Sequence, residues 1–325
     1  MTGSVGKTTA KEMVASVLSQ RWNTLKTEKN FNNQLGVPLT LFRLEPEHEA
    51  AVVEMGVSHF GDMPPLAAMV QPTAMLFTII GHAHLEFLRD RRGVLQEKTS
   101  VLDTMPDDAV AFCNGDDDLL RAMTCRQRKV TFGLSAGCDV RAVDVRDLGD
   151  EGSTCTIIAG TRRIPVRISA YGQHMVYAAL EGAAVGIEYG LTDDEIIRGI
   201  AAYQPVGSRA RVVRTARYTV IDDCYNANPD STAAALRSMA TLPAGRRVAV
   251  LGNMGELGTN AAALHRETGV CAAKAGVSLV ITCGELARQI AAGALPGLLQ
   301  PGDCVLVKAS HSMQFERIVQ ALTQA

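Results

Sequence analysis

Hydrophobic and polar residues alternate along the first part of this chain in two rhythms. Over residues 10–21 the apolar side chains recur at the spacing of one helix face, at Met13, Val14, Val17 and Leu18. Residues 73–80 are instead almost continuously apolar, which is typical of a strand buried on both faces of a parallel sheet. The pattern therefore predicts an α/β domain that opens with an amphipathic helix.

Further segments of the first half match the same two patterns. The strand pattern predicts strands at residues 50–55, 109–113, 130–132, 154–158 and 164–168. The last two flank Ala159-Gly160-Thr161, which predicts a hairpin turn. Helical spacing predicts helices over residues 174–188 and 192–202.

The second half has a regular alternation of strand and helix patterns. Predicted strands at 218–221, 247–251, 279–282 and 304–307 are each followed by a predicted helix, at Asp230, residues 261–275, Glu285 and Ser312. Such alternation favours a parallel sheet covered on both faces, a doubly wound, Rossmann-like domain. The polar, proline-containing segment 203–208 reads as a linker. We predict a P-loop ATPase-type domain with a mostly parallel sheet at 1–205 and a second domain at 206–325.

Composition limits the classes of partner. Of 325 residues 47% are hydrophobic and 20% charged, and the net charge of −2 offers neither a basic surface for nucleic acid nor one for a membrane. No apolar run reaches the roughly 18 residues that span a bilayer, and the polar first residues do not resemble a secretory signal. The eight cysteines contain no C-x-x-C pair, which favours reduced thiols. We expect a cytoplasmic, monomeric protein without membrane insertion.

A phosphate-binding motif stands at the start of the chain, in the residues Gly3, Ser4, Val5, Gly6, Lys7, Thr8 and Thr9. A glycine-rich turn before a helix directs consecutive backbone N–H groups at an anion. In such a P-loop Lys7 reaches the β- and γ-phosphates, and the Thr8 hydroxyl binds magnesium. The alternative is a glycine-rich turn followed by Lys-Thr by chance, but the amphipathic helix that follows favours the P-loop. The motif predicts ATP and Mg²⁺ as cofactors.

Four further residues are considered for a metal site, each with an alternative. Glu54 ends the predicted strand 50–55, where it either faces a ligand edge or is a solvated strand end. His82 and His84 have a spacing seen at zinc sites, but one imidazole with carboxylates around magnesium fits better beside a P-loop. Lys98, taken alone, reads as an ordinary exposed helix lysine.

Together these motifs resemble the Mur ligases, the ATP-dependent amide-forming enzymes of peptidoglycan precursor synthesis. The resemblance runs through the P-loop and residues 26–33, 36–38, 54–56, 81–86, 114–117, 172–174, 221–229, 251–258, 265 and 307–310. It is strongest, through the stretch Asp222-Asp223-Cys224-Tyr225-Asn226-Ala227-Asn228-Pro229, to the members that add D-alanyl-D-alanine to UDP-N-acetylmuramoyl-tripeptide. The resemblance implies that reaction, through an acyl phosphate.

The resemblance also implies roles for individual residues. Glu54 and His84 would bind magnesium beside Thr8, and Lys98 lies where the family has a carbamylated, metal-binding lysine. Asn30, Asn32 and Asn33 would lie near the phosphates and the sugar-peptide, and Asp116 and Asp117 near the nucleotide. Where the second domain closes over ATP and the incoming amine, the implied contacts are Asp223, Tyr225, Asn226, Asn228, Lys308 and Ser310.

Several features depart from the family pattern. Lys29 stands where a glycine is usual, and His311 where an arginine is usual. The resemblance begins at Thr2, so that the family's N-terminal domain, which holds the UDP end of the substrate, has no counterpart in residues 1–325, nor does the strand that feeds the P-loop. We therefore expect little turnover from this chain alone. Alternatives are a nucleotide-binding remnant, one part of a split ligase, or a folylpolyglutamate-type ligase.

Overall fold

The computed structural model describes residues 1–284 and 299–324, which pack into two compact units. The first unit consists of Met1–Arg146, Ser153–Ser169 and His174–Gln204. The second unit consists of Asp147–Gly152, Ala170–Gln173 and Pro205–Ala325. Within the described ranges, no helix is long and apolar enough to cross a membrane. All eight cysteines lie in those ranges, and all are free thiols.

The first unit combines short helices with a sheet. Its helices are α1 (Lys7–Leu18), α2 (Gly36–Leu41), α3 (Met63–Val70), α4 (Leu85–Leu88), α5 (Arg91–Thr99), α6 (Asp118–Ala122), α7 (His174–Glu188) and α8 (Asp193–Ala202). Its strands are β1 (Thr24–Lys26), β2 (Ala50–Val52), β3 (Ala74–Phe77), β4 (Val110–Asn114), β5 (Arg128–Gly133), β6 (Val140–Asp147), β7 (Ser153–Ala159) and β8 (Arg162–Ile168).

The main sheet of the first unit has the order β3-β4-β5-β6-β7-β8. Strands β3 to β6 pair in parallel, whereas β7 and β8 form an antiparallel hairpin around Gly160. The predicted mostly parallel sheet and the predicted hairpin are therefore confirmed. The four apolar positions that predicted α1 are all buried, at Met13, Val14, Val17 and Leu18.

An extended segment precedes the P-loop, although the sequence suggested that its feeding strand was missing. Thr2 pairs in parallel with Phe77 of β3. On its other side the Met1 ammonium donates to the Val53 carbonyl (2.8 Å), and the Met55 amide donates to the Met1 carbonyl (2.8 Å). Two residues are thus enough to continue the ladder from the β1–β2 pair to β3, because each backbone group finds a partner on a neighbouring segment. Met1 and Thr2 thus hold the place of the feeding strand through a single bridge to β3 rather than as a strand.

The second unit is the predicted doubly wound sheet. Its strands are β9 (Arg211–Arg214), β10 (Tyr218–Asp222), β11 (Arg247–Gly252), β12 (Leu279–Cys283) and β13 (Asp303–Lys308), and its helices are α9 (Pro229–Thr241), α10 (Ala261–Lys274) and α11 (Glu316–Thr323). The order is β12-β11-β13-β10-β9, parallel except for β9 at the edge. Alternate residues of β11 enter different cores, Val248 and Val250 one and Ala249 and Leu251 the other, because both faces of the sheet are covered.

Two predicted helices of the second half have different outcomes. The closing helix, predicted from Ser312, begins only at Glu316, after a 3-10 turn at His311–Met313. Gln314 interrupts the two because its backbone is left-handed (φ 51), a conformation that no α-helix continues through. The helix predicted from Glu285 lies outside the described residues.

Lys29 gives a first testable prediction, on stability. Its backbone is left-handed (φ 49), a region that costs a side-chain-bearing residue about 1 kcal/mol or more and a glycine nothing. Lys29→Gly should therefore raise the free energy of unfolding of the first unit, by about 0.5 kcal/mol after the larger entropy of an unfolded glycine is deducted. Urea unfolding followed by the fluorescence of Trp22, the single tryptophan, measures it.

Lys29→Ala is the matched control for that measurement. It removes the same charge and the same flexible chain but keeps the Cβ atom that makes the left-handed region costly. Equal unfolding free energies for the glycine and alanine variants would show that backbone strain at this position is negligible.

Candidate active site

The P-loop is shaped by two glycines and by the residues that follow β3. Gly6 is left-handed (φ 86) and directs the chain into α1, which begins at Lys7. At Gly3 (φ 156) an added Cβ atom would lie 1.9 Å from the Thr78 hydroxyl, so a side chain is excluded there. The Lys7 ammonium donates to the Gly3 carbonyl (2.8 Å), across the mouth of the loop. This arrangement leaves consecutive backbone N–H groups at the N-terminus of α1, as phosphate binding requires.

The segment after β3 holds the P-loop in place. The Ser4 amide donates to the Ile79 carbonyl (2.8 Å), and the Gly81 amide donates to the Ser4 hydroxyl (2.9 Å). The Thr78 hydroxyl donates to the Val5 carbonyl (2.5 Å). Sequence reasoning missed Thr78, although its place near the end of a buried apolar run was a usable signal, because ligand sites of α/β sheets lie at such strand ends.

Glu54 is buried beside the P-loop. Its carboxylate, 1% exposed, accepts one hydrogen bond from the Thr8 hydroxyl (2.9 Å) and one from the Asn32 side-chain amide (2.8 Å). The alternative of a solvated strand end is therefore wrong. The structure brings together Thr8, Glu54 and Asn32, and the first two supply the oxygen donors that magnesium prefers.

Lys98 contradicts its reading as an exposed helix lysine, because its side chain is fully buried. Within residues 1–284 and 299–324, the Nζ atom has no hydrogen-bond partner. Burial, with a smaller contribution from the charge of Lys7, holds the pKa of the Lys98 amine well below its usual value. A buried amine without a partner is costly, and such outliers are concentrated at functional sites.

The residue before Lys98 fixes the position of α5. The Glu97 carboxylate is buried and accepts hydrogen bonds from the Gly61 amide (2.8 Å) and the Met63 amide (2.7 Å) at the start of α3. The backbone around Lys98 is thus tied to the segment that follows Glu54. Sequence reasoning missed Glu97, and its exposed-looking context, Leu95-Gln96-Glu97-Lys98, carried no signal of burial.

His84 follows β3 and lies at the start of α4. It is half-buried and left-handed (φ 58), and its carbonyl accepts hydrogen bonds from the amides of Phe87 and Leu88. Over residues 1–284 and 299–324, no three side chains of His, Cys, Asp or Glu lie together as a metal-binding group. Oxygen donors other than carboxylates, beginning with the Thr8 hydroxyl, are therefore needed to complete a metal site in this region.

Asp116 and Asp117 hold loops of the first unit. Asp117 accepts from the amides of Ile80 (2.9 Å), Leu119 (3.0 Å) and Leu120 (2.9 Å), which joins the segment after β3 to α6. The Asp116 carboxylate accepts from the Leu134 amide (2.6 Å) and the Tyr177 hydroxyl (2.9 Å). Burial acts to raise the pKa of Asp116, but these hydrogen bonds prevail and lower it. Asp117 thus holds the segment 79–81, which in turn is hydrogen-bonded to Ser4 of the P-loop.

Asn30 and Asn33, the two asparagines predicted together with Asn32 to lie near the substrate, differ from it in their contacts. Asn33 accepts from the amides of Leu35 (3.1 Å) and Gly36 (2.8 Å) and so begins α2. Asn30 is exposed, and its carbonyl accepts from the Asn32 amide (2.7 Å). The asparagine whose side chain reaches Glu54 is therefore Asn32.

In the second unit, Lys308 holds the turn after β10. It is 2% exposed, and its ammonium donates to the Asp223 carboxylate (2.7 Å) and to the Asn226 carbonyl (3.0 Å). The Asn228 side chain accepts from the Ser231 amide (2.8 Å) and caps α9. The predicted ligand contacts Lys308 and Asn228 are thus taken up within the protein, where they shape the turn 223–228.

Tyr225, in that turn, contacts one cationic side chain, Arg209, and one aromatic ring, His311. The Arg209 guanidinium lies over its ring, 4.0 Å from the centroid, and the His311 ring stacks on it at 5.5 Å and 26°. Ser310, half-buried, precedes His311. Sequence reasoning missed Arg209, whose position directly after the linker, next to Ser208, carried no periodic signal. The cluster of Tyr225, Arg209 and His311 lies at the carboxyl ends of the parallel strands, where open α/β sheets bind ligands.

Comparisons with known proteins agree with this geometry. Residues 1–186 match the Mur ligase middle domain, and residues 208–325 match the Mur ligase, glutamate ligase domain. The UDP-N-acetylmuramoyl-tripeptide–D-alanyl-D-alanine ligases of Bacillus subtilis and Escherichia coli are 33% and 34% identical over 351 and 346 aligned positions. These alignments cover 100% of this chain and 75% and 76% of the two relatives.

Solved structures give the same result. A crystal structure of MurF from Acinetobacter baumannii has a TM-score of 0.89 at 28% identity and covers 100% of this chain and 76% of that chain. MurF ligase from Thermotoga maritima in complex with ADP has a TM-score of 0.87 at 26% identity, over 100% and 78%. With both units matched by family models and by solved structures, the chain belongs to the Mur ligase family.

Proposed function

We propose that this protein forms an amide bond between UDP-N-acetylmuramoyl-tripeptide and D-alanyl-D-alanine at the expense of ATP. The observation that carries the proposal is the buried Glu54 carboxylate on the hydroxyl of the P-loop residue Thr8, because it supplies metal-binding oxygens where the β- and γ-phosphates would lie. Two relatives named for this reaction are 33% and 34% identical over alignments that cover the whole chain. We further propose a cytoplasmic location, with which the eight free thiols are consistent.

The first step is phosphoryl transfer to the tripeptide. A carboxylate oxygen of the tripeptide attacks the γ-phosphorus, the bond to the bridging oxygen of ADP breaks, and an acyl phosphate forms. Charge spreads over the transferring group, and catalysis of such a step consists mainly of positioning and electrostatic stabilisation. The Lys7 ammonium and the backbone N–H groups that follow Gly6 supply that stabilisation.

The second step forms the amide. The free amine of D-alanyl-D-alanine attacks the carbonyl carbon of the acyl phosphate, inorganic phosphate leaves with the bonding electron pair, and the amine loses its extra proton to solvent. An acyl phosphate also reacts with water, so water must be excluded until the amine arrives.

The residues around Thr8 fit a magnesium ion. The Thr8 hydroxyl and the Glu54 carboxylate are hard oxygen donors 2.9 Å apart, and Asn32 fixes the second carboxylate oxygen. The family resemblance adds His84 and a carbamylated Lys98 to the set. When bound, magnesium neutralises charge that develops on the transferring phosphoryl group.

Lys98 also fits the carbamate. Its buried Nζ has no hydrogen-bond partner in the part of the chain that the structure describes, and a neutral amine is the form that reacts with carbon dioxide. In that reaction the amine nitrogen bonds to the carbon of carbon dioxide, one carbon–oxygen π bond opens and one proton is released, which turns the neutral side chain into an anionic one. The product would supply two anionic oxygens to the metal site in place of the buried amine.

In the second unit the proposal narrows the set of ligand contacts. Lys308 and Asn228 shape the turn 223–228 internally, as does the Asp223 carboxylate that accepts from Lys308. Tyr225, Asn226 and Ser310 remain as candidates for contact with the nucleotide or the dipeptide. Arg209 and His311 join them through their stacking on Tyr225, because a guanidinium over an aromatic ring presents positive charge to an anionic ligand.

A reconstituted reaction tests the function. The 325-residue chain, and the same chain preceded by the N-terminal domain of the B. subtilis relative, are each incubated with ATP, magnesium, UDP-N-acetylmuramoyl-tripeptide and D-alanyl-D-alanine. We expect the form with the added domain to yield the pentapeptide by mass spectrometry, with one phosphate per amide. The matched control, N-acetyl-D-alanyl-D-alanine, has a blocked amine and should yield no product. ATP binding without pentapeptide from either form would instead identify a nucleotide-binding remnant.

A further inference from the structure

The loop that follows β11, residues 253–258, lies at the carboxyl edge of the parallel sheet in the second unit. This is the same edge from which the turn 223–228 and residues 309–314 emerge, and open α/β sheets bind ligands there. Met254 and Leu257 are buried, whereas Asn253 and Glu256 between and beside them are exposed. The two buried side chains thus anchor the loop, and its polar side chains face solvent at the ligand edge of the sheet.

His265 on α10 holds the first of these anchors through both of its ring nitrogens. The Met254 amide donates to Nε2 (3.0 Å), and Nδ1 lies 2.7 Å from the Ala261 carbonyl. A backbone N–H only donates and a carbonyl only accepts, so Nε2 must be unprotonated and Nδ1 must carry the hydrogen. Of the two neutral tautomers and the doubly protonated cation, the geometry therefore fits the neutral Nδ1–H tautomer.

Loop 253–258 also contacts α9, α10 and the segment after β13. The Met254 sulfur accepts from the hydroxyls of Thr232 on α9 and Thr268 on α10, at 3.8 Å each. The Asn253 amide in turn contacts the sulfur of Met313 (3.2 Å), in the segment that carries Ser310 and His311. A shift of Met254 would therefore displace Asn253 relative to residues that stack on Tyr225.

We propose that His265 is a positioning residue of the ligase, whose neutral Nδ1–H tautomer holds loop 253–258 at the ligand edge of the second unit. His265 itself touches no reacting atom; it acts through the Met254 amide. The inference rests on the proposed function, because the loop has a catalytic consequence only if this edge receives a ligand.

Three variants of the form that makes pentapeptide test the proposal. His265→Ala removes the acceptor, and we expect kcat/KM for D-alanyl-D-alanine to fall about tenfold or more, since small misplacements in a site cost up to about 100-fold. His265→Gln offers an amide oxygen near the place of Nε2 and should restore most of that loss. Arg266→Ala, on the exposed neighbouring residue, should change nothing.

Nitrogen-15 NMR of the unmodified protein gives a readout independent of turnover. We expect the His265 signals of a protonated Nδ1 and an unprotonated Nε2, and faster amide exchange at Met254 in His265→Ala alone. The other tautomer would overturn the proposal. So would unchanged kcat/KM in a folded His265→Ala variant, or a glutamine variant as impaired as the alanine variant. No pentapeptide from the unmodified protein would instead refute the proposed function, with the NMR result unaffected.

Discussion

Lys98→Met is expected to lower kcat for pentapeptide formation by about 100-fold or more while leaving the protein as stable as before or more stable. Methionine fills nearly the same volume but cannot form a carbamate, so the metal site would lose an anionic ligand. For the protein without the carbamate, the free energy of unfolding should not fall, because the variant removes a fully buried amine that has no hydrogen-bond partner among the described residues. Steady-state kinetics and urea unfolding without ATP and magnesium measure the two quantities.

Lys11→Met is the matched control for Lys98→Met. Lys11 is equally buried, but its ammonium is paired with Glu12 (3.0 Å) and donates to the Lys29 carbonyl (3.3 Å). Its loss should therefore lower stability and spare kcat. The carbamate itself is detectable as a carbonyl carbon signal after incubation with ¹³C-bicarbonate, present in the unmodified protein and absent from Lys98→Met. A Lys98→Met variant with full activity would exclude a metal-binding carbamate at this position.

Much of the fold could be predicted because buried parallel strands and amphipathic helices leave local patterns. Helix α7 occupies the predicted residues 174–188, and α8 begins where Thr192 and Glu195 form a capping box. Strands β10 to β13 of the second unit were found for the same reason, since their residues are mostly apolar, whereas the edge strand β9 (Arg211–Arg214), with an arginine at each end, was not predicted. Short elements such as β1 were missed, because three residues contain no period and pair only through the distant β2.

Only part of the candidate site could be predicted. Contacts between residues close in sequence were predictable, and contacts between distant residues were not. The P-loop is a contiguous motif, and the structure reproduces its turn and helix start. The burial of Lys98 was not predictable, because its helix is polar along its length and becomes buried through the packing of neighbouring elements. The link between Lys308 and Asp223 joins residues 85 positions apart, and the Thr8–Glu54 contact spans 46. Such pairs are set by topology, which a single sequence does not display.

Lys7→Ala gives the other large effect that we expect, a loss of about 100- to 1000-fold in kcat, typical for the removal of one preorganised charge from a transition state. In this structure the Lys7 ammonium rests on the Gly3 carbonyl, within the loop that would receive the phosphates. Because that contact is local and partly solvated, its loss should change the free energy of unfolding by no more than about 1 kcal/mol. The variant would then lose activity while it stays folded, which distinguishes a loss of catalysis from a loss of structure.

The measurement for Lys7→Ala pairs pentapeptide formation with ATP affinity by calorimetry. Lys274→Ala, which removes an exposed lysine charge at the end of α10, is the control for a general effect of net charge. We expect that control to match the unmodified protein in both assays. Weaker ATP binding with unchanged kcat at saturating ATP would mean that Lys7 binds the nucleotide equally well in the ground state and the transition state. A fall in kcat at saturation places Lys7 on the transferring phosphoryl group, because only interactions that strengthen in the transition state accelerate the chemical step.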